Sequence, residues 1–580
     1  MSALWQESPE APLTALDRAF VAFLQSTEAA ADRRHPWLAA LASYQYGRGH
    51  ACLDLHALRD SAEASLSWTA EQLQCLPADL TAAAQSLPWI QGDNSPLVLV
   101  DAHRLYLRRP YSAEQTILQS LQQRIEQFVP QVPLLQQWLD LLFPAAAAAT
   151  ATDLQRRACE VAAQGRFTLI TGGPGTGKTT CVTRLLALLM RMAHDAGAPL
   201  PRVRLAAPTG KAASRLTQSI GDSASTLPVP FALDASALKA VTLHSLLGVR
   251  GDSWDRGVQP IEADIVVVDE ASMVDLDMMA RLFAAVPLTT RLILLGDKDQ
   301  LASVEAGAVL AQLCQRAALA PRIVTLTHSR RFTADSGIGL WSACVNSGDR
   351  AAVLQLLTQL PAWTIGSTAP VQRLMGHSVR DSQLLDCARQ GWSHWLLHLQ
   401  EVTQQRDCTD AQAKQLLEDL ARFQVLSALR SGPYGVQQLN SMLQGELGLG
   451  SKPWFCGRPV MVTRNDYALK LMNGDVGLCL WREGVLRVVL RDSEGGLRWI
   501  APARLESVET VFAMTVHKSQ GSEFGQVLLV LPDQSSPILT RELLYTGITR
   551  AQHRLVLLAP HAAVLGECVT RRVQRAGGLC

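Results

Sequence analysis

The run GGPGTGKTT, from Gly172 to Thr180, carries the densest chemistry in the chain. It follows the apolar run FTLIT and precedes the helical stretch CVTRLLALLM, so it reads as a loop between a strand and a helix. Glycines let a backbone wrap closely around phosphate and turn successive N–H groups inward. A following lysine reaches the terminal phosphates, and a hydroxyl at the helix N-terminus suits Mg²⁺. The expected ATP-binding loop is therefore Gly172, Gly173, Pro174, Gly175, Thr176, Gly177, Lys178, Thr179 and Thr180, with Lys178 on the phosphates and Thr179 on the metal. The plain alternative is a glycine-rich turn with no ligand, and the strand–loop–helix setting counts against it.

Downstream, Asp269 and Glu270 end the apolar run IVVV. The first carboxylate can hold Mg²⁺ and the second can position and deprotonate an attacking water. Alone, such a pair serves as often to cap a helix; after a phosphate loop it reads as the metal and water site. Gln300 in LLGDKDQ is expected to sense the γ-phosphate, although Gly-Asp followed by polar residues is also ordinary turn chemistry. Arg331 in SRRF and Arg550 in YTGITRA lie far along the chain. Charge developing on a transferred phosphoryl group needs cations from outside the loop, and arginines on a second lobe would make hydrolysis depend on lobe closure. For either one alone, a surface ion pair is the commoner role.

Three further loops combine small, hydroxyl and basic residues. APTGKAASRL contributes Pro208, Thr209 and Lys211, TLHSLLG contributes Thr242 and His244, and TVHKSQGSEF contributes Thr515, His517 and Lys518. Such groups can contact a DNA backbone without reading bases. Helix capping by the threonines is the competing explanation.

These residues must be positioned by elements the pattern also predicts. FTLIT, VRLAAP, DIVVVDE and RLILLGD each end in a loop rich in Gly, Pro, Asp or Thr, which argues for a parallel sheet covered on both faces. A second set, VFAMTVH, VLLVLP and RLVLLA, implies a second such lobe. Short strands with turns between Arg458 and Leu505 predict a small all-β barrel inserted in that lobe. The expected division is an N-terminal unit at 1–115, mostly helical with a short strand at Leu97–Val100, and a helical connector at 116–150 ending near the alanines 145–149. Lobe 1 follows at 151–330, and lobe 2 at 331–457 and 506–580 around the insertion at 458–505. GVRGDSWDRGVQPIE, Gly248 to Glu262, is expected to form a short hairpin at a duplex fork, a plain surface loop being the alternative.

At 580 residues the chain is too long for one core. Its 48% hydrophobic and 18% charged residues suit a folded globular protein. Lys plus Arg number 53 against 52 Asp plus Glu, so contact with nucleic acid must come from local placement. The opening MSALWQESPE lacks the basic start and apolar stretch of a signal peptide, and a cytoplasmic location is expected. The twelve cysteines include no CxxC pair and read as reduced thiols.

Taken in order, Gln155, GGPGTGKTT, APTGKAA, TLHSLLG, VVVDEASMVD, LGDKDQLASVEAG, SRRF, TVHKSQGSEF and LYTGITRA resemble the motifs of superfamily 1 helicases, over roughly Asp153 to Ala559. SRRFTADSGIG, ALRSGPYGVQQLN and GRPVMVTRNDYALKLMNGDVG are similar to the RecD family, the alpha subunits of bacterial exodeoxyribonuclease V. The resemblance implies an α/β fold with two RecA-like P-loop motor lobes, a helical N-terminal domain and a small SH3-like β-barrel insertion. It implies an ATP- and Mg²⁺-dependent DNA helicase moving 5′ to 3′ on single strands beside RecB and RecC subunits, acting in double-strand break repair and homologous recombination. Gln155 would lie near adenine, and Arg331 and Arg550 would act as fingers. Arg330 competes with Arg331 for that role, and the frame before Phe332 favours Arg331. A stand-alone RecD-like helicase and a P-loop switch protein that does not move on DNA are the alternatives. The N-terminal region carries none of these residues, so the motor is expected to keep its activity without it.

Overall fold

The computed structural model describes residues 12–127, 134–144, 153–249 and 259–580, apart from positions 67, 304, 330, 332–336, 377, 451, 467 and 493–494. The alanine tract, Arg330 and most of the expected fork hairpin lie outside the described residues.

The N-terminal unit opens on the helices Ala15–Thr27 and Pro36–Gly47. Thr14 and Asp17 cap the first reciprocally, each side chain serving the other's backbone. Trp37, Trp68 and Trp89 fill the core beneath. The unit also holds an antiparallel sheet of β1 (Cys52–Asp54), β2 (Leu97–Val100) and β3 (Arg104–Leu107), in the order β1-β3-β2. His103 to Tyr111, rich in basic residues, is divided between β3 and the helix Arg108–Glu126, which starts directly behind it.

That helix is part of the first lobe's packing. Ile117 and Leu121 share one core with Phe167, Leu282 and Phe283. Arg124, fully buried, donates to the carbonyls of Val286, Pro287 and Thr290 at 2.5, 3.0 and 2.8 Å, capping the end of helix Leu276–Ala285 and the loop behind it. Burial, with Arg166 nearby, lowers that guanidinium to about 10, so it stays charged. Removing everything before residue 150 would strip this cover from lobe 1, which corrects the expectation of a dispensable N-terminal region.

Lobe 1 is a six-stranded parallel sheet of β4 (Phe167–Gly172), β5 (Val203–Ala207), β6 (Ala240–Thr242), β7 (Ile265–Val268), β8 (Arg291–Gly296) and β9 (Ile323–Leu326). Its order is β6-β5-β7-β8-β4-β9. The unbroken apolar runs of β4, β7 and β8 are buried on both faces, as a helix-covered parallel sheet requires. Every lobe 1 motif after a strand falls at the carboxyl end of that sheet.

Lobe 2 contains β10 (Val371–Arg373) and β11 (Phe423–Ser427). The chain then leaves for an antiparallel sheet of β12 (Pro459–Val462), β13 (Val476–Arg482), β14 (Val485–Arg491), β15 (Leu497–Ile500) and β16 (Val508–Thr510). Its order is β15-β14-β13-β12-β16, so the inserted sheet runs past the expected boundary at 505. β17 (Ala513–Thr515), β18 (Phe524–Val530) and β19 (Ala551–Leu558) return to lobe 2 and complete a parallel sheet in the order β10-β19-β18-β11-β17.

After the helix Ala562–Thr570 the chain crosses back as a strap. Ala51 N–H donates to Ala576 O at 2.8 Å, Gly578 N–H donates to the buried Glu114 at 3.0 Å, and Gln312 donates to Arg575 O at 3.0 Å. Leu579 is buried in the lobe 1 core. The Ala576 N–H donates to His50 Nδ1 at 3.1 Å, which requires that nitrogen to be unprotonated. Burial, with the charges of Arg48 and Arg575, lowers His50 to about 4. Once the strap opens, His50 regains an ordinary histidine pKa, so between pH 6.5 and about 4 the open state binds a proton the closed state refuses. Strap protection is therefore fully present above pH 6.5 and falls by about tenfold per pH unit below it. Hydrogen exchange of residues 571–580, normalised to intrinsic rates, will show this slope in the wild type. His50→Gln, which keeps an acceptor that does not titrate, will flatten it.

Candidate nucleotide and nucleic-acid site

The loop after β4 is shaped by backbone that other residues rarely adopt. Gly175 and Gly177 have φ of 74° and 81°, and Gly177 caps the helix Lys178–Asp195. The loop curls around Lys178, whose Nζ donates to the carbonyls of Gly172 and Gly173 at 2.6 and 3.1 Å. Thr176 closes the curl by donating to Gly173 O at 2.8 Å. Pro174 O accepts from Ser329 Oγ at 3.0 Å. Thr179 and Thr180 lie half-buried in the first turn of the helix, where N–H groups have no intrahelical acceptor and point back toward the loop. Gln155 sits on the outside of the loop, donating to Thr176 O and accepting from Arg184, both at 3.3 Å.

Asp269 and Glu270 follow β7 at the centre of the sheet. Glu270 takes a left-handed backbone, φ 51°, and its N–H donates to Asp269 Oδ1 at 2.8 Å. Burial, then the neighbouring Glu270 charge, pushes Asp269 up to about 6, with Lys178 pulling the other way. Asp269 thus lies within the field of the Lys178 ammonium at the phosphate loop, with the Glu270 carboxylate adjacent. Gln300 is buried beside Asp297, donating to its Oδ2 at 3.1 Å, and Tyr545 of lobe 2 donates to the same oxygen at 3.0 Å.

Arg331 meets a second arginine, Arg215, at Glu523, and neither Arg215 nor Glu523 was singled out by the sequence. Arg331 pairs with its Oε2 at 2.6 Å, and Arg215 of lobe 1 pairs with its Oε1. Burial alone would raise this carboxyl; the charge of Arg215 and hydrogen bonds from Arg331 and Arg215 hold it down at about 2. Arg550 is buried at the end of the helix Arg541–Thr549, donating to Thr546 O at 3.3 Å and Ser522 O at 3.0 Å. The charges nearest it include Glu270 and Glu523. The cluster thus draws Arg550 and Glu523 from lobe 2, Arg331 from the stretch that follows β9, and Arg215, Glu270 and Asp297 from lobe 1. The local signal for Glu523 and Arg215 was only a charge inside a motif read for its neighbours.

The three threonines do cap turns: Thr209 Oγ1 accepts from Ala212 N–H at 3.2 Å, Thr242 from Ser245 at 3.2 Å and Thr515 from Lys518 at 3.3 Å. Each hydroxyl retains its own O–H as a donor, so capping and phosphate contact are compatible. Lobe 1 and lobe 2 loops adjoin here: a methyl group on Gly521 would lie 3.8 Å from Thr209 Oγ1, and one on Gly210 3.1 Å from Met472 of the insertion. Pro208 precedes this junction. Lys211 is solvent-exposed and 6.0 Å from the Phe524 ring, and desolvation by the surrounding protein, with Arg215, lowers its ammonium to about 8. His517 is half-buried, while Lys518 pairs with Glu509. Thr242 and His244 lie at the β6 edge of the sheet.

Among the described residues no helix is long and apolar enough to cross a membrane. The family model of the AAA domain matches residues 150–362, that of the UvrD-like helicase C-terminal domain matches residues 510–558, and that of the RecBCD enzyme subunit RecD, N-terminal domain, matches residues 10–106. The RecBCD enzyme subunit RecD of Mycobacterium tuberculosis is 38% identical over 94% of this chain and 91% of its own length. That of Haemophilus influenzae is 34% identical over 93% of this chain and 92% of its own. The ATP-dependent RecD2 DNA helicase of Deinococcus radiodurans is 32% identical over 67% of this chain, but only 46% of its own length is covered. Matched nearly end to end by RecD subunits at more than 30% identity, the chain belongs to the RecD family.

Proposed function

We propose that this chain is an ATP-dependent DNA helicase, the RecD motor of a RecBCD-type helicase and nuclease that acts in double-strand break repair. The observation that carries this reading is the convergence of the phosphate loop and Asp269–Glu270 with Arg331, Arg550 and Glu523, residues drawn from both lobes. A site built across two lobes couples hydrolysis to their relative movement. The loops at Thr209, Thr242 and Thr515 supply hydroxyl and basic groups of the kind that contact a single-stranded DNA backbone. Movement 5′ to 3′, assembly with RecB and RecC, and a cytoplasmic location belong to this proposal through the family.

Lys178 holds the terminal phosphates, Glu270 takes the proton of the attacking water, Gln300 senses the γ-phosphate, and Arg331 and Arg550 stabilise transition-state charge. Gln155, on the outer side of the loop, faces the base. Thr179 and Asp269 would hold Mg²⁺, which when bound offsets phosphate charge; their hard oxygen donors fit it. We assign 151–330 to lobe 1, joined by the covering helix Arg108–Glu126. We assign 331–457 and the segment after β16 to lobe 2, the inserted sheet to an SH3-like barrel, and the N-terminal unit to partner docking. The fork-hairpin proposal for Gly248–Glu262 stands on sequence.

A stand-alone helicase is the second reading, favoured by the RecD2 relative. The match of residues 10–106 to a RecD N-terminal domain, and coverage of RecD subunits but less than half of RecD2, support the subunit.

Single-stranded DNA will stimulate ATP hydrolysis by the purified chain; an ATPase indifferent to DNA would make it a switch protein instead. Lys178→Gln will keep the fold, read by circular dichroism, and lower hydrolysis by at least about 100-fold, because a neutral amide cannot offset phosphate charge. Arg550→Ala will lower turnover by about 100-fold while nucleotide affinity changes by less than about threefold. Turnover and equilibrium nucleotide binding measured on one preparation check this, and equal losses in both would make Arg550 a binding or structural residue.

A further inference from the structure

One buried oxygen in the site serves two masters. Asp297 Oδ2 accepts from the amide of Gln300 at 3.1 Å and from the phenol of Tyr545 at 3.0 Å, while Asp299 N–H donates to the other oxygen at 3.1 Å. Gln300 and Asp297 belong to lobe 1, just after β8; Tyr545 belongs to the lobe 2 helix that ends at Arg550. The phenol also rests on the phosphate loop, since a methyl group on Gly173 would lie 2.9 Å from its oxygen. Tyr545 is 5% exposed and Asp297 is 2% exposed, so no bulk water competes for these bonds.

The next residue repeats the connection. Leu301 N–H donates to Thr546 Oγ1 at 3.0 Å, Leu301 O accepts from Gln520 at 2.8 Å, and Thr546 O accepts from Arg550 Nε. The segment Asp297–Leu301 is thereby stitched to two successive residues of the helix that carries the arginine. A tyrosine buried only for packing needs no acceptor from the opposite lobe, and a phenylalanine would fill the same space.

We propose that Tyr545 is a positioning residue: with the lobes closed, its hydroxyl fixes Asp297, Asp297 fixes the Gln300 amide, and the sensor is aligned only when the arginine helix is in place. Gln300 carries two donors and one acceptor on a rotatable amide, so loss of the phenol leaves Asp297 held only by Asp299 N–H and the Gln300 amide itself, and the direction of that amide is less closely set. Tyr545 thus controls lobe 1 chemistry without itself touching the phosphate. This inference rests on the proposed ATPase function.

The test compares wild type, Tyr545→Phe, Gln300→Ala and the double variant in ATP hydrolysis with and without single-stranded DNA. Tyr545→Phe, which keeps the ring, is expected to lower DNA-stimulated kcat about 10-fold, leave KM for ATP within about twofold and leave the melting temperature unchanged. The double variant is expected to be no slower than Gln300→Ala alone, because the phenol acts through that amide. Independent, multiplying losses would overturn the proposal, as would a Tyr545→Phe enzyme with wild-type stimulation or one whose melting temperature falls with its activity. A wild-type chain without DNA-stimulated hydrolysis would instead overturn the functional reading beneath it.

Discussion

Two guanidinium groups, from Arg215 and Arg331, converge on the single carboxylate of Glu523, and the cross-lobe arrangement depends on that charge balance. Burying arginines without a counterion is costly, and burying a glutamate without one raises its carboxyl. Together the two arginines hold Glu523 ionised far below the ordinary carboxylate range. The β18 end of lobe 2 is thereby held against lobe 1. Arg550, the Tyr545–Asp297 bond and the Thr546–Leu301 bond all lie within reach of this contact.

The electrostatics of the phosphate loop follow the same logic. Lys178 is surrounded by loop carbonyls and faces Asp269 and Asp297, two carboxyls that burial pushes upward and the ammonium pulls down. Such a site is arranged for cationic and anionic groups together, the composition of a metal–triphosphate complex.

What the chain made legible in advance was whatever repeats a local pattern. The apolar runs of β4, β7 and β8 are continuous because helices cover both faces, and the phosphate loop is dense in glycine because two of its positions need left-handed backbone. Strands of three or four residues such as β1 and β3 are too short to show alternation, so the N-terminal sheet was read only as Leu97–Val100. Glu523, Arg215, Asp297 and Tyr545 are single polar residues whose meaning comes from a partner on another element, more than 200 residues away for Tyr545 and Asp297. Arg124 was equally silent: nothing in RIEQF says that one arginine will be buried under three carbonyls of another helix's end.

The strap from residue 571 to 579 gives the motor a mechanical property. Lobe 2 is joined to lobe 1 by the segment after β9 and again, at the far end of the chain, by backbone pinned to His50, Ala51, Glu114 and Gln312. Lobe 2 is thus tethered to the rest of the chain at two places far apart in sequence, and a displacement of lobe 2 that leaves both tethers intact is restricted to swings about the line between them, while any other displacement has to open the strap.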